Sequence, residues 1–564
     1  MFKNQPTGLY FLSLANTGER FGYYTMLAIF LLFLQTKFGF DASVSGQIYA
    51  IFLALVYFMP LLGGFVADKW SFSKCVITGM GIMFVGYGVM SIPTPIGETS
   101  SLMILLSALA LIAIGTGLFK GNLQVMVGDL YNCDKYNAQR DNGFSLFYMA
   151  INLGSMLAPF AATLMLNIVM HRYGFEYVAQ LPALCNQYLA HGTGLEQIIS
   201  CASANGMEVA AQSAVFASEY LTAVSNGYSL GFAVACGSLI LSFIIYWIGR
   251  PTFANISNEK KNPATSSPVK TVELSPAQTK QRVVALLLVF TVVIFFWMVF
   301  HQNGATLTEF AKSCTSSIAS GFTRIGFNVW ALLTIAVAVW TYFIFIQSKS
   351  SKGKLISGIV FLLSAVGIVL FYHFTPKEVH GIQPQQYQQF NPFYVVALTP
   401  VSLAFFGWLA KRKKEPSAPR KIGYGMMLAG LAYAVMVFGS LSLNGTEGNV
   451  SPNWLISTYL LLTFAELLLS PMGISFVSKV APPKLKGSMM GGWFAATAIG
   501  NYLVSIPMLL WGKMDVWVIW TILIALCLLS ATFIFLIMKK LEAATNDNTI
   551  DSAEDVENIE SEAI

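Results

Sequence analysis

The chain has 564 residues, 55% of them hydrophobic and 14% aromatic, while Asp, Glu, Lys and Arg together supply only 11%. A soluble globular domain carries about 25% charged residues, so this chain cannot clothe itself in a water-facing surface, and an ordinary soluble enzyme is excluded. Seven cysteines are too sparse for a disulfide scaffold or zinc-finger spacing, and the net charge of +6 hides an acidic stretch, 547–564, with seven acids and no base, which leaves 33 bases against 20 acids elsewhere.

A membrane-crossing helix needs about 20 mainly apolar residues, and such runs follow one another along the chain. Those near 9–34, 46–67, 75–92, 101–122, 142–168 and 227–248 come first. After a stretch rich in Ser, Pro, Lys and Asn come 282–303, 326–347, 354–374, 391–411, 421–443, 454–477, 489–511 and 516–538. The pattern predicts an all-α polytopic membrane protein of about 14 helices. A six-helix bundle occupies 1–249, a flexible cytoplasmic linker 250–281, a second bundle 282–540 and an acidic cytoplasmic tail 541–564. The first run is long, is interrupted by Glu19 and Arg20 and is followed by no small-residue cleavage site, so it does not read as a cleaved signal peptide. Lys and Arg gather in alternate loops, among them Lys69, Lys74, Lys135, Arg140, Arg250, Lys349, Lys411, Arg412, Lys479 and Lys486. That places both termini in the cytoplasm and makes the bases a record of topology, not a nucleic-acid surface. On the other face, 171–226 is the longest expected loop; its Cys185 and Cys201 either pair, if that face is oxidising, or stay as two unbonded small residues.

Ionisable side chains inside membrane helices are costly and ask for a partner or a function. Those within the runs are Glu19, Arg20, Lys120, His301 and Glu466. In one reading they neutralise one another and fasten helices together. In the other, the chain is a carrier that binds a charged or zwitterionic solute at mid-membrane and moves it with protons, because a solute carboxylate can take over the Lys or Arg that a protein carboxylate held. Glu466 favours the second, since no base lies in its own helix. Two bundles joined by a loose linker suit rocking about a central site. No GxSxG, HExxH, Walker loop or CxxC stands in a suitable context and the five His are scattered, so neither enzyme chemistry, a metal, a cofactor nor direct ATP drive is expected.

The run Asn16-Thr17-Gly18-Glu19-Arg20-Phe21-Gly22-Tyr23-Tyr24 resembles the ExxERFxYY signature of the proton-coupled oligopeptide transporter family, a branch of the major facilitator superfamily. Six further stretches are similar in order and in helix. They are Val56-Tyr57 through Asp68, Gly115 through Asn122 with Lys120, Phe147-Tyr148 through Ser155, Phe296-Trp297 with Gln302 and Gly304, Phe464 through Ser475, and Met490 through Phe494 with Asn501. The family's eighth helix opens with Asn-Pro, as Asn391-Pro392 does here, so 326–374 resembles an extra hairpin between helices seven and eight. The resemblance implies two six-helix bundles plus that hairpin, a bacterial cell membrane, action as a monomer, and protons as the coupling ion for small peptides.

By position, the family implies that Arg20, Tyr24, Tyr57 and Lys120 receive the peptide's carboxylate end and that Asn152, Asn391 and Glu466 hold its amino end. Trp297 and Trp493 match positions that shape side-chain pockets, although aromatics in membrane helices are often packing or interface anchors. Residue type agrees, because a zwitterion binds best between a basic wall and an acidic one. Three positions depart from the family pattern. Asn16 stands at the first Glu of the signature, leaving Glu19 as the motif's carboxylate to trade a proton against Lys120. His301 replaces an acid and Leu27 an Arg that can pair with it at an outer gate, so both members of that pair are gone together, which avoids a stranded charge. His301 is then a neutral hydrogen-bonding residue, a replacement proton site, or an anion contact. The leading expectation is a symporter of di- and tripeptides. The alternatives are the same fold carrying a small anion or modified amino acid, and a non-transporting receptor, for which no sizeable soluble effector segment is present.

Overall fold

The computed structural model describes residues 5–131, 135–136, 139–209, 213–253, 275–446, 448–482 and 485–543. Most of the predicted linker, and the tail beyond 543, lie outside the described residues.

The first half contains α1 (Thr7–Phe38), α2 (Ala42–Lys69), α3 (Phe72–Ser91), α4 (Thr99–Asp129), α5 (Arg140–Arg172), the short α6 (Leu181–His191) and α7 (Leu195–Ala204), and α8 (Ser213–Gly249). The second half contains α9 (Pro276–Phe300), the short α10 (Thr306–Ser313), α11 (Val329–Gln347), α12 (Ser351–Phe374), α13 (Phe390–Lys411), α14 (Ala418–Ser440), α15 (Asn453–Val480), α16 (Lys486–Leu503), α17 (Ser505–Leu510) and α18 (Val516–Leu536). Among the described residues 14 helical segments are long and apolar enough to span a bilayer, so the chain is a multi-pass membrane protein.

Each half builds its own apolar core. One runs from Leu9 to Phe253 and takes in Ala305, Val504 and Met508 from the other half; the second runs from Ala285 to Leu541 and takes in Met156. Apolar side chains gain little by leaving lipid, so close backbone approach does much of the packing. At the crossing of α2 and α4, a Cβ on Gly117 would sit 2.6 Å from the Met59 Cβ, a gap that no larger side chain fits.

Several expected boundaries move. The sixth long run begins at Ser213, not 227, because Phe216, Ala217, Tyr220 and Val224 recur at helical spacing and are buried. The intervening Ser218, Glu219 and Asn226 dilute the hydropathy that a window averages. The expected loop 171–226 therefore holds two helices and the start of a third. Cys185 and Cys201 stand in α6 and α7 as free thiols, and burial pushes Cys185 up to about 12, which holds it as the unreactive thiol. The seventh run starts at Pro276, behind a capping box in which Ser275 Oγ accepts from the Gln278 N–H at 3.2 Å. It ends in a 3-10 turn over His301–Gly304. The thirteenth run, 489–511, breaks between Leu503 and Ser505.

The predicted hairpin is present as α11 and α12. Its second helix buries only Ser357 and Ser364, while Leu362, Leu363 and Val369 point outward. A two-residue antiparallel pairing, Ala319 with Val379 and Ser320 with Glu378, ties the segments that flank it.

Candidate functional site

The two halves meet around a cavity of about 250 Å³. Arg20, Tyr24, Tyr57, Lys120, Asn152, Trp297, His301, Asn391, Glu466 and Trp493 all line it, so every predicted substrate contact falls on one surface. Glu19 does not: it is fully buried behind Arg20.

On the first-half wall, Arg20 folds back along α1 and grips its neighbour, with Nε 2.5 Å from Glu19 Oε2 and Nη2 2.6 Å from Oε1. This fork-to-fork geometry is the strong form of a carboxylate contact. Lys120 forms no ion pair among the described residues; its Nζ lies 3.7 Å from the centre of the Tyr57 ring. The pairing expected between Glu19 and Lys120 is thus made by Arg20 in this conformation, because adjacent side chains can close a bidentate bond that Lys cannot. The ammonium is left facing the cavity over an aromatic ring.

On the opposite wall, Glu466 accepts from Asn391 Nδ2 at 3.0 Å and from the Tyr148 hydroxyl at 3.1 Å. No base stands beside it among the described residues. Tyr148 was not singled out by sequence reasoning. It precedes Asn152 by four residues, one helical turn, and that spacing was the available signal, since both then share a face of α5. Asn152 itself donates to the Tyr148 carbonyl at 3.0 Å. The Trp297 Nε1 is buried with no partner among the described residues, a donor left for whatever fills the cavity.

The departures from the family signature fall on the same surface, with Asn16, Leu27 and His301 all lining it. His301 Nδ1 lies 2.5 Å from Asn501 Oδ1. A carbonyl oxygen accepts, so Nδ1 carries the proton there and Nε2 keeps a lone pair. The ring stacks on Trp297 at 4.9 Å and lies 5.7 Å from Tyr57.

At the end away from the termini the cavity is shut by polar contacts that the sequence did not reveal. Gln35, near the end of α1, donates from Nε2 to Glu309 Oε2 at 2.6 Å and accepts at Oε1 from Lys312 Nζ at 2.7 Å. Glu309 and Lys312 pair at 2.7 Å within α10. Nearby, Gln388 donates to the Ala28 carbonyl at 3.2 Å, and Gly304 packs so tightly on Tyr49 that any Cβ would strike the phenol. Leu27 and His301 hold no ion pair among the described residues, and the Gln35 contacts lie about two helical turns beyond Leu27 along α1. Gln35→Leu removes the two bonds that Gln35 makes across the halves. Each bond to a charged group contributes about 1.5–3 kcal/mol, so the open population should rise at least tenfold. Labelling of Asn303→Cys by an impermeant thiol reagent, in a background without other accessible cysteines, measures that rise.

Two membrane-embedded bundles closed over one charged, aromatic-walled cavity define a secondary carrier of the major facilitator architecture. The sequence profile of the POT family matches residues 73–185 and 368–517. An uncharacterized transporter of Bacillus subtilis (strain 168) is 28% identical over 523 residues, covering 88% of this chain and 86% of its own. A di-/tripeptide transporter of Lactococcus lactis subsp. cremoris is 28% identical over 527 residues, covering 88% and 87%. Among solved structures, that of the peptide transporter POT in complex with sulfate matches with a TM-score of 0.66 at 20% identity, covering 96% of each chain. Over most of its length the chain is thus similar to transporters of the POT family; it is a transporter, not an enzyme.

Proposed function

We propose that the protein is a proton-coupled symporter that imports di- and tripeptides by alternating access. One observation carries this reading: a single cavity has Lys120 and Arg20 on one bundle and Glu466, held by Asn391 and Tyr148, on the other. The peptide carboxylate lies against Lys120 and Arg20 with Tyr24 and Tyr57 beside it. Its ammonium lies between Glu466, Asn391 and Asn152. Trp297 and Trp493 flank the side chains.

A solute carboxylate arriving at Arg20 competes with Glu19 for the guanidinium, and the released Glu19 takes up a proton. When that proton leaves toward the cytoplasm, the Glu19–Arg20 fork closes again and expels the peptide. His301, which faces the cavity, is the second proton site in this scheme. The rocking bodies are residues 1–249 and 282–540, joined by 250–281, with the hairpin at 326–374 carried by the second and the acidic tail 541–564 following it. Both termini face the cytoplasm, the protein sits in the bacterial cell membrane, and a monomer suffices because one chain completes the site.

Purified protein in liposomes with an inward proton gradient should accumulate labelled dipeptide, and collapse of the gradient should stop accumulation. Absence of uptake across a broad dipeptide panel refutes the reading. Asn16 in the cavity wall favours one alternative, an amino-bearing solute smaller than a peptide, which uptake of amino-acid derivatives in the same assay detects. A plain anion fits poorly, since it would face Glu466.

A further inference from the structure

The inserted hairpin supplies a donor that the carrier scheme leaves unused. Pro400, inside α13, has no N–H, so the Val396 carbonyl four residues earlier loses its usual helical partner. Trp340 of α11 replaces it: the indole Nε1 donates to the Val396 oxygen at 2.8 Å. No water can do this within a bilayer, where an unsatisfied carbonyl is costly. Asn391 lies on the same helix, five residues before Val396 and roughly 7.5 Å along its axis at 1.5 Å per residue. Its amide donates at 3.0 Å to both Thr463 Oγ1 and Glu466 Oε2. The hairpin is fastened at its far end as well. Arg324 donates to the Tyr372 carbonyl at 2.6 Å and stacks on that ring at 4.2 Å.

We propose that Trp340 is a positioning residue: its indole N–H holds the proline-interrupted turn of α13 in the geometry that keeps Asn391 against Glu466, so the hairpin braces one wall of the cavity. The effect on binding rests on reading Glu466 as the contact for the peptide amino end; the brace itself does not.

The test is a double-substitution cycle on the full-length protein, read by thermal unfolding and by dipeptide affinity. Trp340→Phe keeps a ring and removes the N–H. It should weaken dipeptide binding roughly threefold to tenfold, the range for loss of one interhelical hydrogen bond in a membrane protein, and lower the unfolding midpoint. Pro400→Ala returns an N–H to position 400, and in that background Trp340→Phe should change neither quantity. Equal losses in both backgrounds, or no loss in the native one, overturn the proposal. Pro400→Ser serves as a second background if the alanine variant does not fold. If the unsubstituted protein binds no peptide, the peptide reading fails, while the unfolding midpoints still decide the brace.

Discussion

Glu466→Gln is expected to weaken dipeptide binding about a hundredfold. Truncating or neutralising one partner of a buried, hydrogen-bonded charge pair costs about 2–5 kcal/mol, and 2.7 kcal/mol corresponds to a factor of about 100. The substitution keeps shape and volume, and the Tyr148 hydroxyl can still donate to the remaining amide oxygen. Asn391 then faces an NH2 group in place of Oε2, a donor against a donor. Neutralising a lone buried carboxylate also removes a desolvation cost, so the folded protein should be at least as stable as before. The discriminating measurement compares a dipeptide with its N-acetylated analogue, which has no ammonium. The dipeptide should lose nearly all its advantage over the analogue in the variant. Equal loss for both ligands would mean that Glu466 shapes the cavity and does not read the amino end.

Glu19→Gln should act in the opposite sense on stability. Arg20 is 4% exposed and Glu19 fully buried, and the two are joined by two short hydrogen bonds. Removing one member of such a pair strands the other charge and costs about 3–5 kcal/mol. The purified variant should therefore unfold at a clearly lower temperature. If Glu19 is the coupling carboxylate, it should also lose gradient-driven accumulation while retaining exchange of peptide for peptide. Adding Arg20→Met to the variant removes the stranded charge, so stability should recover; binding should not, because the guanidinium is needed for the carboxylate end. Accumulation that survives Glu19→Gln moves the coupling role to His301, which lines the cavity without the ion pair that occupies Glu19.

The charged walls were legible in the sequence because charge in an apolar run is conspicuous: Arg20, Lys120 and Glu466 need no structure to be noticed. Their arrangement was not. Whether Glu19 answers to Arg20 or to Lys120 depends on side-chain direction, which helical spacing leaves open. Glu309 and Lys312 were missed because they lie just past the seventh run, where a charged pair reads as a wetted loop. Gln35 meets both from the other half. The start of α8 was lost for a related reason: its exposed face is polar there, and a window average cannot see that Phe216 and Tyr220 share a buried face. Trp340 illustrates the limit most clearly. An aromatic in a membrane helix is ordinarily packing, and the proline that gives its N–H a task lies sixty residues further along the chain.

The closure at Gln35 has a consequence in ionic strength. A gate that joins two bundles by an ion pair must separate opposite charges each time it opens, and dissolved salt assists that separation once water enters. Here Glu309 and Lys312 belong to the same short helix and stay together, while Gln35 withdraws as a neutral group from both. The opening step exchanges amide contacts for water and leaves the charge pair whole. Its rate should therefore be nearly independent of salt, and the carrier should keep its turnover when the solution bathing that end changes from dilute to saline.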